Sequence, residues 1–450
     1  TKSKLFCGCA TSSTEPNSSV CEVCLGFPGS KPMLNRQAVL MAVRCAMALN
    51  CKINREFFFS RKTYFYPDLA KNYQITQYEA PIGVDGSLMI SSKKVELSRV
   101  HLEEDPAALV HEQGLGSSNY SLVDYNRSGV PLVEIVTSPC LSSPSEAREF
   151  LNALSILLDY LDVFDSMDSV LKVDANISIT GGERVEIKNI LGFKSVEKAL
   201  EVELERQKKA MHKNEKIVRE TRGFDEKNLA TFSLRKKETE EDYGYIFDPD
   251  LPIVYVDDSL YSELKSSIPE LFEEKKKRFM SKFGLSENYD FVIASNKQFS
   301  ALFEGTVRRA KVDVAARFFA REMLGILNYN NLALSDVNFE QDALGDLLEL
   351  LEKGSVSEKN AKEALIKYAL ENVKPLDFLK KNNLLLDLSS GDVEKAVKEV
   401  LSANPSAVSD LKQGNQKAMN FILGLVMKKT QAKADAREVK KIVEVQIKKL

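Results

Sequence analysis

Three acids close the run His101-Leu102-Glu103-Glu104-Asp105, and four cysteines stand as Cys7-x-Cys9 and Cys21-x-x-Cys24. Adjacent carboxylates repel and raise one another's pKa, so such a cluster costs stability unless a cation is bound or water screens it. It reads either as a solvated acidic turn or as the ligand side of a cation site. The two cysteine pairs are separated by eleven residues and interleaved with Gly8, Pro16, Asn17, Gly26, Pro28 and Gly29. These turn formers let thiolates on adjacent loops converge on one tetrahedral ion, so the spacing predicts zinc on Cys7, Cys9, Cys21 and Cys24. No His lies near to leave an open position, and the role expected is structural. Cys45, Cys51 and Cys140 stand alone among apolar neighbours and read as small buried hydrophobes. Cations are interleaved with aromatics where Arg61, Lys62 and Lys71 follow Phe57-Phe58-Phe59 and flank Tyr64-Phe65-Tyr66. That stretch either stacks a base and holds phosphates or is a strand with a charged end.

A fourth group depends on a hairpin. Lys172 to Ile179 and Arg184 to Asn189 both alternate polar with apolar residues, the period of two expected of strands. A Gly-Gly turn of two residues would set Ile177 against Glu186. A three-residue loop sets Ile177 against Ile187 and Asn176 against Lys188, and is the pairing expected. One face then carries Val173, Ala175, Ile177, Ile179, Val185 and Ile187 toward a core. The other gathers Asp174, Asn176, Ser178, Glu186 and Lys188, as a wet surface or an active site.

The elements around these groups follow from caps and periodicity. Asn35 can cap a helix running to Leu49, Ser145 to about Leu161 is a second helix, and Ser195 to Lys213 is a long amphipathic third. Strands with glycine turns fill Pro81 to Val100, and Ser121 to Val136 reads as strand, polar turn and buried strand. Beyond about Ile268 strand patterns stop and amphipathic helices take over, broken at Gly305, Gly354, Pro375, Gly391, Pro405 and Gly414. The fold class expected is α+β, with domains at 1–268, 269–391 and 392–450.

The whole chain narrows the function classes. At 450 residues and 44% hydrophobic it can bury a core in each domain. No apolar run is long enough to span a membrane and no signal peptide opens the chain, so the cytoplasm is expected. A formal charge of −3 excludes a protein basic all over. From Lys412 onward, however, ten Lys or Arg face three acids, a patch suited either to a solvated helix face or to a phosphate backbone. There is no Gly-rich phosphate loop of the G-x-x-x-x-G-K-S/T or G-x-G-x-x-G kind and no nucleophile beside a base.

Long ordered blocks resemble the B subunit of the aspartyl/glutamyl-tRNA amidotransferase. They are Thr1 to Cys9, Glu15-Pro16-Asn17, Cys21-x-x-Cys24-Leu25-Gly26, Tyr64-Phe65-Tyr66-Pro67-Asp68, His101 to Asp105, Ser121 to Arg127, Asp174-Ala175-Asn176, Glu186 to Asn189 and Ala418 to Phe421. The resemblance covers essentially the whole chain. It implies an N-terminal β-rich cradle or kinase-like domain with antiparallel sheet, followed by all-α helical and tail domains. It also implies a chemistry: ATP phosphorylates the side-chain carboxylate of Glu or Asp misacylated on tRNA, and ammonia from a partner amidase displaces the phosphate. Under it, Glu103, Glu104 and Glu186 share Mg²⁺, with Asp174 and Asn176 in support. Lys188, Arg61 and Lys71 stand on the phosphate side. The A subunit, an amidase, supplies ammonia, the small C subunit holds the pair together, and the basic tail holds the tRNA. The alternative is a non-catalytic zinc-containing tRNA-binding adaptor. Two departures stand out. The family's opening Gly-Leu-Glu-x-His-x-x-Leu strand does not precede Thr1, which reads as numbering that starts inside the natural protein. The family also commonly continues Glu-Glu-Asp-Ala-Gly-Lys, whereas Pro106 follows Asp105 here.

Overall fold

Asn35 caps the first helix as expected: its side-chain oxygen accepts the backbone N–H groups of Gln37 at 2.9 Å and Ala38 at 3.2 Å, and the helix runs Arg36–Ala48. Ala38, Val39, Ala42, Val43 and Ala46 form its buried stripe. Ser143 caps the helix Pro144–Tyr160 through the N–H of Glu146, and Pro144 at its first turn has no N–H to leave unpaired. The third helix is Phe193–His212. The computed structural model that shows these elements describes all residues except 111–119, 165–170, 191, 237–242, 386–389, 413–415, 431–433, 435 and 450.

Two compact units result, Thr1–Leu271 and Phe272–Leu450. The first carries the strands. One sheet places the long strand Lys94–Glu104 between Gly83–Met89 and Pro131–Thr137, both antiparallel to it. A smaller sheet sets Ser60–Thr63 between Tyr73–Thr76 and Gly244–Phe247. The hairpin belongs to a third sheet, in the order Val173–Ile177, Val185–Ile190, Glu220–Asp225, Ala230–Lys236. Its inner pairing, Val185–Ile190 with Glu220–Asp225, is parallel, the exception to the antiparallel expectation. The reason is the helix Phe193–His212 between them, a crossover long enough to bring the chain back in the same direction.

The hairpin register differs from the one expected. Ala175 pairs Ile187, Asn176 pairs Glu186 and Ile177 pairs Val185, so the connection is the wider span 178–184 rather than a three-residue loop. A shift of two keeps each side chain on its face. Ala175, Val185 and Ile187 are buried, and Asp174, Asn176 and Ser178 are exposed.

Among the described residues, the regular elements of the second unit are all helical. One buried cluster gathers residues from Phe279 to Leu379 and a separate one gathers residues from Val393 to Val443. In the tail, the helices Gln416–Lys429 and Ala436–Lys449 share the second cluster through Ile422, Val426, Val439 and Val443. Lys428, Lys440 and Lys441 are exposed, and Lys429 pairs with Glu399 at 2.5 Å. Lys433 lies outside the described residues, as do the side chains of Lys412, Arg437, Lys448 and Lys449.

Candidate active site and metal centres

Strand register builds the central site. His101 lies directly opposite Glu134 on the neighbouring strand, and Glu103, two residues along from His101, points to the same face. His101 Nε2 is 3.5 Å from both Glu103 Oε2 and Glu134 Oε2, and ligand atoms of all three residues lie within 4.8 Å of one another. His101 Nδ1 is buried and has no hydrogen-bond partner among the described residues. Thr76 donates its hydroxyl to Glu103 at 2.8 Å. Burial acts to raise the Glu103 carboxyl, but the hydrogen bond and charge of His101, then Thr76 and Lys62, outweigh it and leave the pKa below the ordinary value. One imidazole and two carboxylates converging at hydrogen-bond-plus separation fit a divalent cation of the Mg²⁺ or Mn²⁺ kind.

Glu104 faces the other way, as the next residue on a strand must. Lys71 Nζ lies 2.5 and 2.7 Å from its two oxygens, and the backbone N–H of Ile75 donates to it at 2.9 Å. Glu104 therefore anchors the Tyr73–Thr76 strand rather than joining Glu103. Among the described residues it does not belong to a metal-competent group with Glu103, and neither does Glu186. The expectation of three glutamates on one ion is corrected accordingly: alternation separates the neighbours, and Glu186 sits in the third sheet. Its Oε2 accepts the Thr221 hydroxyl at 2.9 Å and lies 3.9 Å from Lys188, which pairs with Asp174 at 3.0 Å. The hairpin's polar face thus gathers Asp174, Asn176, Glu186 and Lys188 as expected and adds Thr221. Lys172, just before this hairpin, lies 3.5 Å from Asp105, so the foot of the hairpin meets the end of the long strand. Arg127 pairs with the same Asp105.

Arg61 and Lys71 are engaged within the protein. Arg61 lays its planar fork on Asp248 at 3.0 and 3.3 Å, reaches Asp250 at 2.9 Å and covers the Tyr73 ring at 4.7 Å. The segment Phe247-Asp248-Pro249-Asp250, at the end of the strand Gly244–Phe247, supplies those acids. Lys62, in contrast, lies over the Tyr243 and Tyr64 rings and exerts its charge on Glu103. Sequence reasoning missed His101 and Glu134 as members of the site, and it offered Lys62 only for base stacking or phosphate, not beside Glu103. A signal for Glu134 was present: it is a lone charge within Pro131-Leu132-Val133-Glu134-Ile135-Val136.

The four cysteines come together as expected, their sulfurs within 4.8 Å of one another and Cys21 and Cys24 Sγ 3.9 Å apart. The edge of a tetrahedral four-thiolate zinc site is about 3.8 Å, from a Zn–S distance of about 2.3 Å. Donor set and spacing both fit zinc. Cys24 is pulled down to about 4, chiefly by its hydrogen bond with Cys7 and against the effect of burial. Cys45 is buried and pushed up to about 12 by that burial, as an inert core thiol should be.

A chain with these parts defines a class. Residues 1–262 match the family described as GatB/GatE catalytic domain, and residues 301–447 match the one described as GatB domain. The chain is 43% identical over 466 positions to the B subunit of the aspartyl/glutamyl-tRNA(Asn/Gln) amidotransferase of Methanoregula boonei, covering 100% of this chain and 96% of that protein. The B subunits of the same amidotransferase from Thermotoga neapolitana and Methanospirillum hungatei are 41% and 42% identical, covering 99% and 97% of this chain and 95% and 93% of theirs. The chain belongs to the family of aspartyl/glutamyl-tRNA(Asn/Gln) amidotransferase B subunits. As such it is one component of a tRNA-dependent, glutamine-hydrolysing ligase of translation, an assembly of several subunits.

Proposed function

We propose that this protein phosphorylates, at the expense of ATP, the side-chain carboxylate of Glu or Asp misacylated on tRNA, and that ammonia from a partner amidase then displaces the phosphate. A carboxylate does not react with ammonia because hydroxide is a poor leaving group; an acyl phosphate releases phosphate instead. The observation that carries the reading is the convergence of His101, Glu103 and Glu134 from two adjacent strands onto one point. His101, Glu103 and Glu134 would hold a divalent cation there, and it would supply positive charge for phosphoryl transfer. Thr76 fixes the orientation of Glu103, and Lys62 adds positive charge on the same side. Lys188, steadied by Asp174, is the phosphate-side cation of the hairpin, with Glu186 and Asn176 beside it. Arg61 and Lys71 frame the site through Asp248 and Glu104.

Under this reading the A subunit delivers ammonia, the C subunit steadies the assembly, and the basic tail helices hold the tRNA. Zinc on Cys7, Cys9, Cys21 and Cys24 is structural, closing loops too rich in Gly and Pro to order themselves. The work is done in the cytoplasm, and among the described residues no helix is long and apolar enough to cross a membrane.

The test is tRNA-dependent ATP hydrolysis by the complete complex carrying Glu103→Gln or Glu134→Gln. Each should lower it by at least about 100-fold, with basal glutaminase activity of the amidase retained. Normal hydrolysis in both variants would leave the non-catalytic tRNA-binding adaptor as the better account.

A further inference from the structure

Lys4 is fully buried. Its Nζ donates to two backbone carbonyls, Ser19 at 2.8 Å and Tyr125 at 3.1 Å, and forms no ion pair with a carboxylate among the described residues. An ammonium held in the interior by neutral carbonyls alone is costly, so a negative partner is required. The nearby negative charge is the cysteine centre: a Cβ added at Gly129 would meet both Lys4 Cδ at 3.5 Å and Cys24 Cβ at 3.9 Å, and the Lys4 backbone N–H donates to the Cys9 carbonyl at 2.9 Å. Four thiolates around one dication keep two net negative charges, which a buried lysine balances.

The same residue leads out of the centre. Its stem runs along Gly129, where an added Cβ would meet Lys4 Cδ at 3.5 Å, and the neighbouring Leu5 N–H donates to the Gly129 carbonyl at 2.7 Å. Gly129 in turn donates to the Asp105 carbonyl at 2.9 Å, and Asp105 donates to Val130 at 2.8 Å. From the metal side, the Cys24 carbonyl accepts the Ser128 hydroxyl at 3.3 Å. Asp105 is the residue after Glu103 and Glu104, so an unbroken set of contacts joins the thiols to the end of the strand that bears the site.

We propose that Lys4 is the internal counter-cation of the four-cysteine centre, and the positioning residue through which an occupied centre fixes the strand end carrying Glu103. This rests on the zinc reading. It requires that zinc and Lys4 protect the same distant amides, which a metal confined to organising its own loop would not do.

The experiment uses the full chain as parent, Lys4→Gln, Lys4→Arg, and parent stripped of metal by a chelator. Zinc content and chelator competition are measured together with backbone amide exchange. Lys4→Gln should release zinc at a chelator concentration at least about tenfold lower than the parent, the scale of lost outer-shell support, and Lys4→Arg should recover most of the difference. Stripping the parent should speed exchange at the Asp105 and Gly129 amides at least about tenfold, and zinc-loaded Lys4→Gln should speed the same two amides, whereas parent-like exchange there in the zinc-loaded variant overturns the positioning role. Retention of zinc by Lys4→Gln at the parent's chelator concentration, or Lys4→Arg no better than Lys4→Gln, overturns the counter-cation role. Unchanged exchange at Asp105 and Gly129 on stripping, with faster exchange in Cys21–Gly26, overturns the positioning role. A parent chain that carries no zinc overturns both this proposal and the zinc reading beneath it. Should Lys4→Gln fail to fold, Lys4→Arg and the stripped parent decide.

Discussion

Glu103 and Glu104 are neighbours with opposite tasks, and the difference is the pleat of one strand. The Glu104 side chain is 4% exposed and its partner Lys71 11%, so Glu104→Gln leaves an ammonium buried against a neutral amide. We expect a loss of roughly 3 kcal/mol in unfolding free energy, the lower range for breaking a buried pair. Glu134 has a side chain 46% exposed, and Glu134→Gln should change stability by under about 1 kcal/mol. Denaturant unfolding of the two variants checks this, and equal stabilities would reverse the roles given to the two positions. Glu103 was legible as part of an acid cluster, but His101, two residues before it on the same face, was not read with it. Glu134 stood out as a lone charge in an apolar run, but its membership of the group was not legible, because it lies thirty-one positions from Glu103 and only the pairing of His101 with Glu134 brings it there.

Helix limits were readable to within two residues because caps and periodicity are local: Asn35 needs only the amides that follow it, and the second helix, read from Ser145, begins at Pro144 behind its cap Ser143. Pairing was less readable. The alternation of Val173–Ile177 and Val185–Ile190 assigned both faces of the hairpin, yet a register two residues off satisfies the same alternation, and matching Ile177 with Ile187 favoured a tighter loop than forms. Nor does any local signal announce that Glu220–Asp225 returns parallel beside Val185–Ile190. The helix Phe193–His212 makes that crossover and is fastened to the sheet by Glu203, which is fully buried. Arg206 donates to it at 2.6 and 2.9 Å, Gln207 at 2.9 Å and Thr231 at 2.7 Å. Burial acts to raise the Glu203 carboxyl, but these donors outweigh it, Arg206 foremost, and hold it below the ordinary carboxylate range. A depressed folded pKa adds stability that is present above the unfolded value of about 4.3 and is lost as pH falls through the folded one. Glu203→Gln should therefore cost about 3 kcal/mol at pH 7, with the gap to the parent narrowing as the solution is acidified below about pH 4. Unfolding midpoints across that range decide it; a gap independent of pH would mean that the charge is not what fastens the helix.

At the scale of the molecule, α+β was readable because period-two patterns end and helical ones begin near one place, and strands among the described residues do end at Tyr255. The basic tail belongs to this scale. Its two helices share a buried cluster, so deleting them would remove a core along with the charge. Replacing exposed Lys428, Lys440 and Lys441 by Gln separates the two effects. If all three touch phosphate, the log-log slope of tRNA affinity against salt should flatten by about 2 to 3, at roughly 0.7 to 0.9 per contact, while thermal stability holds. An unchanged slope would move the tRNA off these helices.

The small sheet around Ser60–Thr63 also governs the order of events when the chain is made. Its outer strand is Gly244–Phe247, Asp248 donates its N–H to Phe59 at 3.0 Å, and Val254–Tyr255 closes on Glu56–Phe57. A chain emerging from the ribosome therefore carries Ser60–Thr63 with one edge unpaired through some 180 residues of further synthesis, a span in which such an edge can pair wrongly. Arg61 has no Asp248 to grip until the same moment. The first unit is completed from its far end backward, and its opening strands wait for the last ones.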